Sequence, residues 1–316
     1  MAKYRAQLPQ LGEDLFLTDS GLETTLIYRD GYDLPAFAAF PLLDTADGRT
    51  RLAAYYRTHV AIARTVGAGF VFEGVGWRAN RDWGEEIGYT PEMLDRVNRD
   101  SIELVAELRD ELETAGMPMV ISGCIGPRDD GYHPTSVMTE GEAEAYHHTQ
   151  VATYRETDAD LVSALTVTNV PEAVGIVRAA VSCAMPVAIS FTVETDGTLP
   201  AGVGLGEAIE RVDEATDAGA AYFMINCAHP THFAATLQDG ADWVQRIRGV
   251  RANSSRQSHA ELDDAVELDA GDPLEFGQEY AQLRARYPQI TVLGGCCGTD
   301  ERHIQQVAQA CVSSRG

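Results

Sequence analysis

The sequence predicts an α/β fold, namely a single (β/α)8 TIM barrel that spans residues 1–316 as one domain. Short apolar runs alternate with longer amphipathic ones along the chain, and this alternation is typical of a parallel sheet. Eight such units follow one another, which favours closure into a barrel. An open doubly wound sheet is the alternative. It often carries a glycine-rich phosphate loop after its first strand, and no such loop follows Gly21.

The eight apolar runs are the predicted strands: 15–19, 70–73, 119–122, 161–165, 186–191, 221–226, 247–252 and 290–294. The seventh is the weakest prediction because arginines interrupt it. Amphipathic spacing predicts helices over 50–66, 91–112 and 139–157, from 171 onward, over about 206–218 and after 299. The polar stretches 28–48 and 252–273 are predicted to be long loops.

The charge balance excludes some classes of partner. Lys and Arg total 24 against 48 Asp and Glu, so the formal net charge is −24. Such a surface repels nucleic acids and anionic membranes, which both need cationic contacts. The first residues show no signal-peptide pattern, and no apolar run reaches the roughly 20 residues of a membrane span. We therefore expect a cytoplasmic protein, a monomer or small homo-oligomer, that acts on small molecules.

Three cysteines stand directly after predicted strands. Cys296 and Cys297 lie between glycines after the eighth strand, and Cys227 follows the sixth. Active sites of (β/α)8 barrels lie at the carboxyl ends of the strands, so these thiols can converge there. Three thiolates leave the fourth position of a tetrahedral Zn²⁺ open, which is the catalytic pattern. We read the other cysteines as small apolar side chains; they are Cys124, Cys183 and Cys311.

The chain resembles the homocysteine S-methyltransferase family through motifs that run along nearly its whole length. The most specific is Gly-Gly-Cys-Cys-Gly-Thr at 294–299; the others are Asp-Ser-Gly-Leu-Glu-Thr-Thr-Leu at 19–26, Gly-Cys-Ile-Gly-Pro at 123–127, Ile-Ser-Phe-Thr-Val-Glu at 189–194 and Asn-Cys at 226–227. The resemblance implies that Cys227, Cys296 and Cys297 bind zinc. It also implies an acceptor thiol, homocysteine, and an onium methyl donor such as S-methylmethionine or a betaine-like compound.

The same resemblance implies which residues hold the acceptor. The segment around Asp19, Gly21 and Glu23 would bind it, and Asn226 beside the zinc ligand is a further candidate. Asn226 is alternatively a residue that orients a ligand. Asn253, after the seventh strand, is a weaker candidate for contact with substrate.

One departure from the family pattern concerns the acceptor's ammonium group. The family usually carries a Glu after the fourth strand, and Leu165 stands in that place here. The second strand end also departs from the family, with Glu73. Either Glu73 or Glu23 supplies the missing charge, or the acceptor is a different small sulfur or selenium compound.

Aromatic side chains in the predicted loops are candidates for holding a cationic donor by cation–π contact, although each is as well explained by packing. These are Tyr32, Trp77 and Trp83.

Two functions from other classes stay open. A structural zinc site would need a fourth protein ligand, which His229, His232 or His303 would have to supply. A redox sensor would instead pair Cys227 with Cys296 or Cys297 and bind no metal.

Overall fold

Eight parallel strands close into one barrel in the order β1 to β8, so the predicted (β/α)8 fold is confirmed. The computed structural model describes residues 2–132, 134–237 and 240–313. The strands are β1 Phe16–Leu17, β2 Gly69–Glu73, β3 Met119–Ile125, β4 Leu161–Val167, β5 Val187–Phe191, β6 Tyr222–Asn226, β7 Ile247–Ala252 and β8 Val292–Gly295. The pairing of β1 with β8 closes the barrel, with Phe16 opposite Val292.

The long helices cover the outside of the barrel, and short ones lie in the loops. They are α1 Leu22–Thr24, α2 Ala46–Thr65, α3 Arg81–Glu86, α4 Pro91–Leu112, α5 Glu140–Arg155, α6 Val170–Ser182, α7 Leu205–Thr216, α8 Pro230–Phe233, α9 Asp242–Gln245, α10 His259–Asp263, α11 Pro273–Arg286 and α12 Glu301–Ser313. Short 3-10 turns occur at Pro9–Leu11, Pro35–Phe37 and Phe40–Asp44, and a π turn at Thr25–Arg29. None of the described helices is both long and apolar enough to cross a bilayer.

Local signals in the sequence explain where the long helices begin. Thr90 accepts a hydrogen bond from the Met93 amide, and Pro91 occupies the first turn of α4, where its missing N–H costs nothing. Thr139 and Glu142 form a reciprocal capping box at the start of α5.

The sequence-based prediction differs from the structure in the sixth and seventh units. The connection between β6 and β7 contains only α8 and α9, each of four residues, where the count of eight strand–helix units implies a longer helix. The long helix α11 directly follows the predicted loop, which itself contains α10. β7 spans the predicted residues, and its arginines do not interrupt it, because it pairs with both neighbours.

Side chains inside the barrel form layers because successive residues of a strand point to opposite faces. An apolar cluster from the early and middle strand positions fills the interior; it includes Phe16, Val71, Val120, Leu161, Tyr222 and Val292. Two residues further along the strands, the inward positions become polar, with Glu73 after Val71 and Ser122 after Val120. The apolar layer therefore forms a base, and chemically active side chains lie above it.

Candidate metal centre and substrate cavities

The three cysteines lie together at the carboxyl end of the barrel. The Cys227 sulfur is 3.1 Å from that of Cys296 and 3.6 Å from that of Cys297, and all three lie within 4.8 Å of one another. A tetrahedral zinc with metal–sulfur bonds of about 2.3 Å holds its sulfurs roughly 3.8 Å apart. The cluster therefore fits such an ion after shifts of well under 1 Å in the sulfur positions.

Backbone conformation directs Cys227 toward the other two cysteines. Its φ is 57°, in the left-handed region that non-glycine residues rarely adopt. Thr166 across the barrel is also left-handed, with a φ of 63°, at an irregularity in the register of β4 against β5. Such conformations cost about 1–3 kcal/mol each and persist only where surrounding contacts enforce them.

Asn226 makes those contacts. Its side-chain oxygen accepts hydrogen bonds from the Thr166 amide at 2.8 Å and from the Ser190 hydroxyl at 2.7 Å. Its amide nitrogen donates to the Thr166 hydroxyl at 2.9 Å and approaches the Cys296 sulfur at 3.8 Å. All the hydrogen-bonding positions of this amide are used within the protein. The geometry therefore favours the orienting role for Asn226 over direct binding of substrate.

Glycines allow the last cysteine turn to pack tightly. A Cβ on Gly21 would lie 2.4 Å from the carbonyl oxygen of Cys296, so only glycine fits beneath this turn. Gly298 has a φ of +78°, and a Cβ there would lie 2.2 Å from the Ser254 hydroxyl. Gly21 thus positions a cysteine as well as lining the cavity described below.

The surroundings of the cluster make one of its sulfurs acidic. Hydrogen bonds with Cys227 and Cys297, with the Arg251 charge nearby, lower the pKa of Cys296 well below its usual range. The Tyr132 hydroxyl lies 3.2 Å from the Cys227 sulfur, and its ring stacks on His259 with 4.2 Å between ring centres. His259 in turn contacts the Cys227 carbonyl oxygen at 2.9 Å. Tyr132 and His259 therefore brace Cys227 from the outside.

The histidines considered as a fourth ligand are engaged elsewhere. The Nε2 atom of His229 lies 3.2 Å from Glu279, His232 contacts the Arg256 carbonyl oxygen, and His303 contacts Asp300. Within residues 2–132, 134–237 and 240–313, the potential metal-binding group consists of the three cysteines alone. The described chain therefore offers no side chain that closes the site.

An inner cavity of about 630 Å³, counted with its open mouth, runs from the cysteines down to the strand ends. Asp19, Gly21, Glu23 and Asn226, the residues expected to hold the acceptor, all line it. Leu165 also lines it, at the inward position two residues beyond Ser163.

Three charged side chains form the floor of the inner cavity, and we call Asp19, Glu73 and Arg251 the ion cluster. All three are buried. Arg251 approaches Asp19 at 2.8 Å and donates to the carbonyl oxygens of Gly295 and Ser20. Burial alone would lower the pKa of Arg251, but Asp19 and Glu73 raise it above its ordinary value, so the guanidinium stays charged.

The other two acidic groups of the inner cavity differ in exposure. Burial raises the pKa of Glu73 to about 7, and the nearby charge of Arg251 limits the rise. Burial also raises the pKa of Glu23 to about 7, although its side chain is partly exposed at the rim of the cavity.

An outer cavity of about 1060 Å³ opens on the other side of the cysteines. It shares six lining residues with the inner cavity: Thr24, Phe37, Trp77, Thr166, Cys227 and Cys297. Loop side chains form the rest of its wall. Four of these carry carboxylates, namely Asp130, Asp263, Glu267 and Asp269, and two are tyrosines, Tyr28 and Tyr132. Arg78 also lines this cavity, where it pairs with Asp130 and stacks on Trp77 with 4.2 Å to the ring centre. Carboxylates therefore outnumber cations in the wall, and aromatic rings accompany them.

The structure brings only one of the three predicted aromatic residues to the site. Trp77 lines both cavities, and its ring meets Phe37 edge to face at 6.4 Å. The Tyr32 hydroxyl instead contacts Asp47, and Trp83 stacks on Arg78 with 3.7 Å between the guanidinium carbon and the ring centre. Neither lines a cavity. Asn253 is buried and also lines neither.

Phe37, Tyr132 and Arg251 are among the site residues that the sequence patterns did not identify. Phe37 and Tyr132 reach the site from irregular segments whose path only the tertiary structure shows. Arg251 could have been predicted, because a charged residue near the carboxyl end of a barrel strand lies close to the active-site region.

Comparisons with known proteins identify the family of this chain. A family model described as homocysteine S-methyltransferase matches residues 19–311, which confirms the resemblance in the motifs. Betaine–homocysteine S-methyltransferase 1 of Rattus norvegicus is 26% identical over 263 residues. That alignment covers 75% of this chain but only 60% of the rat protein.

Solved structures match over nearly the full length. The homocysteine methyltransferase MmuM from Escherichia coli in its metallated form superposes with a TM-score of 0.71 at 16% identity, covering 97% of this chain and 99% of MmuM. The oxidized form of MmuM superposes with a TM-score of 0.69 at 18% identity, covering 96% of this chain and 99% of MmuM. At these identities the likeness supports the barrel fold alone.

Proposed function

Because this chain belongs to the homocysteine S-methyltransferase family, we propose that it transfers a methyl group from an onium donor to the thiol of homocysteine, with zinc held by Cys227, Cys296 and Cys297. The observation that carries the proposal is the convergence of three cysteine sulfurs within 4.8 Å where two cavities meet. Both partners of the reaction are small molecules.

The cysteines suit the chemistry that the reaction needs. A free thiol has a pKa near 8.5 and is mostly unreactive at pH 7, whereas a zinc-bound thiol is deprotonated and remains a nucleophile. Three thiolate ligands are more electron-rich than neutral imidazoles, so they leave more electron density on the acceptor sulfur. The lack of a described side chain to fill the fourth position leaves room for that sulfur.

The two cavities supply the alignment that methyl transfer requires. The acceptor would occupy the inner cavity and the donor the outer one, so that the methyl group passes between them near Cys227 and Cys297. Displacement at a methyl carbon needs the sulfur, the carbon and the leaving group in line, and such positioning is worth several kcal/mol. The acidic, aromatic wall of the outer cavity suits a sulfonium or quaternary ammonium donor, such as S-methylmethionine or a betaine-like compound.

Replacing the cysteines one at a time tests the metal site. We expect Cys227→Ala, Cys296→Ala and Cys297→Ala each to lower the zinc content from about one per chain to near zero, with methyl transfer falling at least 100-fold. Cys183→Ala is the matched control, because this partly exposed cysteine lies outside both cavities. Metal content is measured by elemental analysis of folded protein. Full zinc occupancy in all three variants would contradict the proposal.

One observation supports a second candidate, a redox sensor. Cys227 and Cys296 are close enough to form a disulfide after a small movement. In that case mild oxidation would lower the mass by about 2 Da without bound metal in the reduced protein. Stoichiometric zinc in the reduced protein would exclude the sensor as the main function.

The identity of the acceptor needs its own assay. Because Leu165 offers no charge to an ammonium group, methyl transfer to another small sulfur or selenium compound is the alternative within the same chemistry. A panel of thiols and selenols, each tested with S-methylmethionine and with glycine betaine, distinguishes the two. Homocysteine should have the highest kcat/KM.

A further inference from the structure

Each of the three charged side chains of the ion cluster has a buried atom without a hydrogen-bond partner; for Asp19 this atom is Oδ1, which lies 2.8 Å from Arg251 in an ion pair. The Oε2 atom of Glu73 and the Nη1 atom of Arg251 are buried and unpaired. Both residues line the cavity, and each is only 5% exposed. Buried charged groups are normally fully hydrogen-bonded, so each unpaired atom calls for an explanation.

The contacts within the ion cluster account for only part of its charge. Arg251 uses its Nη2 atom on Asp19 and Ser20 and its Nε atom on Gly295, which leaves Nη1. Asp19 is committed to Arg251 and also accepts a hydrogen bond from the Tyr55 hydroxyl at 3.3 Å. With two carboxyl groups and one guanidinium in the cluster, Glu73 has no cation of its own.

Glu73 is also held in place. Burial raises the pKa of Glu73, and the neighbouring hydroxyls of Ser122 and Ser163 act in the opposite direction; Ser122 hydrogen-bonds to Ser163 at 2.7 Å. These serines occupy the inward layer just above the apolar base. The carboxyl group is thus fixed from below, and its unpaired oxygen remains for a ligand in the cavity.

The remaining walls near the floor offer no equivalent charge. Leu165 and Cys124 lie one inward position further along β4 and β3 than Ser163 and Ser122. Burial raises the pKa of the Cys124 thiol well above its usual range, so that side chain is neutral. The amide of Asn226 is fully used by neighbouring residues. The floor therefore presents the Glu73 carboxyl group, which has no cation of its own, and the unpaired Nη1 edge of Arg251.

We propose that this floor recognises a zwitterion: Glu73 binds the α-ammonium group of the acceptor amino acid, and the free Nη1 edge of Arg251 binds its α-carboxylate. The inference rests on the proposed function, since it places the acceptor's thiol at the cysteines. Glu73 and Arg251 then determine specificity, because a thiol lacking either charged group leaves a buried ion unpaired, which is heavily penalised.

Three thiols test this assignment by binding alone. Homocysteine carries both charged groups, 4-mercaptobutyrate lacks the ammonium, and 3-mercaptopropylamine lacks the carboxylate. Each is titrated into the zinc-loaded protein by calorimetry, without a methyl donor. We expect the wild-type protein to bind homocysteine at least 10-fold more tightly than either analogue.

The decisive variant is Glu73→Gln, which keeps the shape and removes the charge. It should lose the preference for homocysteine over 4-mercaptobutyrate while keeping the preference over 3-mercaptopropylamine. Glu23→Gln is the matched control, because Glu23 lines the same cavity at its rim; both preferences should survive there. Loss of the ammonium preference in Glu23→Gln instead of Glu73→Gln would overturn the assignment.

Two further variants complete the test. Arg251→Lys keeps a positive charge beside Asp19 but removes the free edge, so it should lose the preference over 3-mercaptopropylamine. Adding Leu165→Glu to Glu73→Gln returns a carboxylate to the inner cavity, one inward position beyond Ser163, and should restore part of the ammonium preference. If Glu73→Gln keeps both preferences, the proposal that Glu73 and Arg251 bind the charged groups of the acceptor is refuted. The proposed methyl transfer would not be affected by that result. If none of the three thiols binds the zinc-loaded wild-type protein, both fail.

Discussion

The inner and outer cavities meet at the same cysteines but are built differently. Most of the chemical groups of the inner cavity lie on or just after barrel strands, and its floor is formed by the buried side chains of Asp19, Glu73 and Arg251. The outer cavity is walled mainly by loops, and its carboxylates at Asp263, Glu267 and Asp269 are exposed. Charges in the first are buried and act on specific neighbours, whereas charges in the second are screened by solvent.

This difference separates what each cavity can recognise. A buried ion rejects a ligand that leaves it unpaired, so the inner cavity can discriminate strongly among acceptors. Exposed carboxylates and aromatic faces attract cations in general and distinguish them weakly. Changes to the inner cavity should therefore affect metal, acceptor and stability, and changes to the exposed carboxylates of the outer cavity should affect the donor alone.

The most severe structural disturbance is expected from Gly21→Ala. The added Cβ would meet the Cys296 carbonyl oxygen at 2.4 Å, so the cysteine turn must move. We expect the affinity for zinc to fall at least 10-fold, measured by competition with a chelator. Gly116→Ala is the control, since nothing lies within 4 Å of its Cβ, and it should bind zinc normally. Normal zinc affinity in Gly21→Ala would show that Gly21 does not position the cysteine turn for metal binding.

The buried charge of Glu73 should appear in the pH dependence of stability. Its pKa rises from 4.5 in the unfolded chain to about 7 in the folded protein because burial disfavours the carboxylate. The folded state therefore binds the proton more tightly, so stability is full below pH 4.5 and falls as the pH rises through 7. The fall due to this group is roughly 3 kcal/mol.

Glu73→Gln should remove that fall. Urea denaturation of the reduced, metal-free protein at pH 5 and pH 8 measures the difference in the free energy of unfolding. Between these two pH values the variant should lose less stability than the wild-type protein. An identical pH dependence in the wild-type protein and the variant would contradict a raised pKa for Glu73 in the folded state.

The smallest effect is expected at the boundary with the outer cavity. Trp77→Leu removes an aromatic face beside the donor, and a cation–π contact of about 0.5–2 kcal/mol corresponds to a rise of roughly 2- to 30-fold in the KM for an onium donor. Trp77→Phe should recover most of it. Affinity for the acceptor thiol, measured without donor, should change less. A larger effect on the acceptor would contradict the division between the cavities.

Regular features of the barrel could be predicted from the sequence because they depend on local patterns. Apolar runs located all eight strands, and Cys227, Cys296 and Cys297 could be placed at one end because every strand of this fold ends there. Strand ends were less certain. β1 contains only Phe16–Leu17, because only these two residues of the apolar run pair with both neighbouring strands.

Features that depend on distant pairings could not be predicted. Arg251 weakened the prediction of β7 because a lone charge in a strand is unfavourable, yet it is stabilised by Asp19, 232 residues away in sequence. The path of Phe37 into both cavities depends on a left-handed backbone at Ala36 and Phe37 that no local pattern announces. The wall of the outer cavity is built from such segments, so its residues could not be predicted from sequence patterns.

The pairing of β8 with β1 has a consequence for the order of assembly. Cys296 and Cys297 lie just past the strand that completes the ring, so closing the barrel and completing the thiol cluster are one event. On the ribosome, Cys227 emerges 70 residues before Cys297, which is roughly 4–14 s of synthesis at ordinary rates. During this interval the nascent polypeptide lacks a complete site, and metal loading must wait until Cys296 and Cys297 have been synthesised.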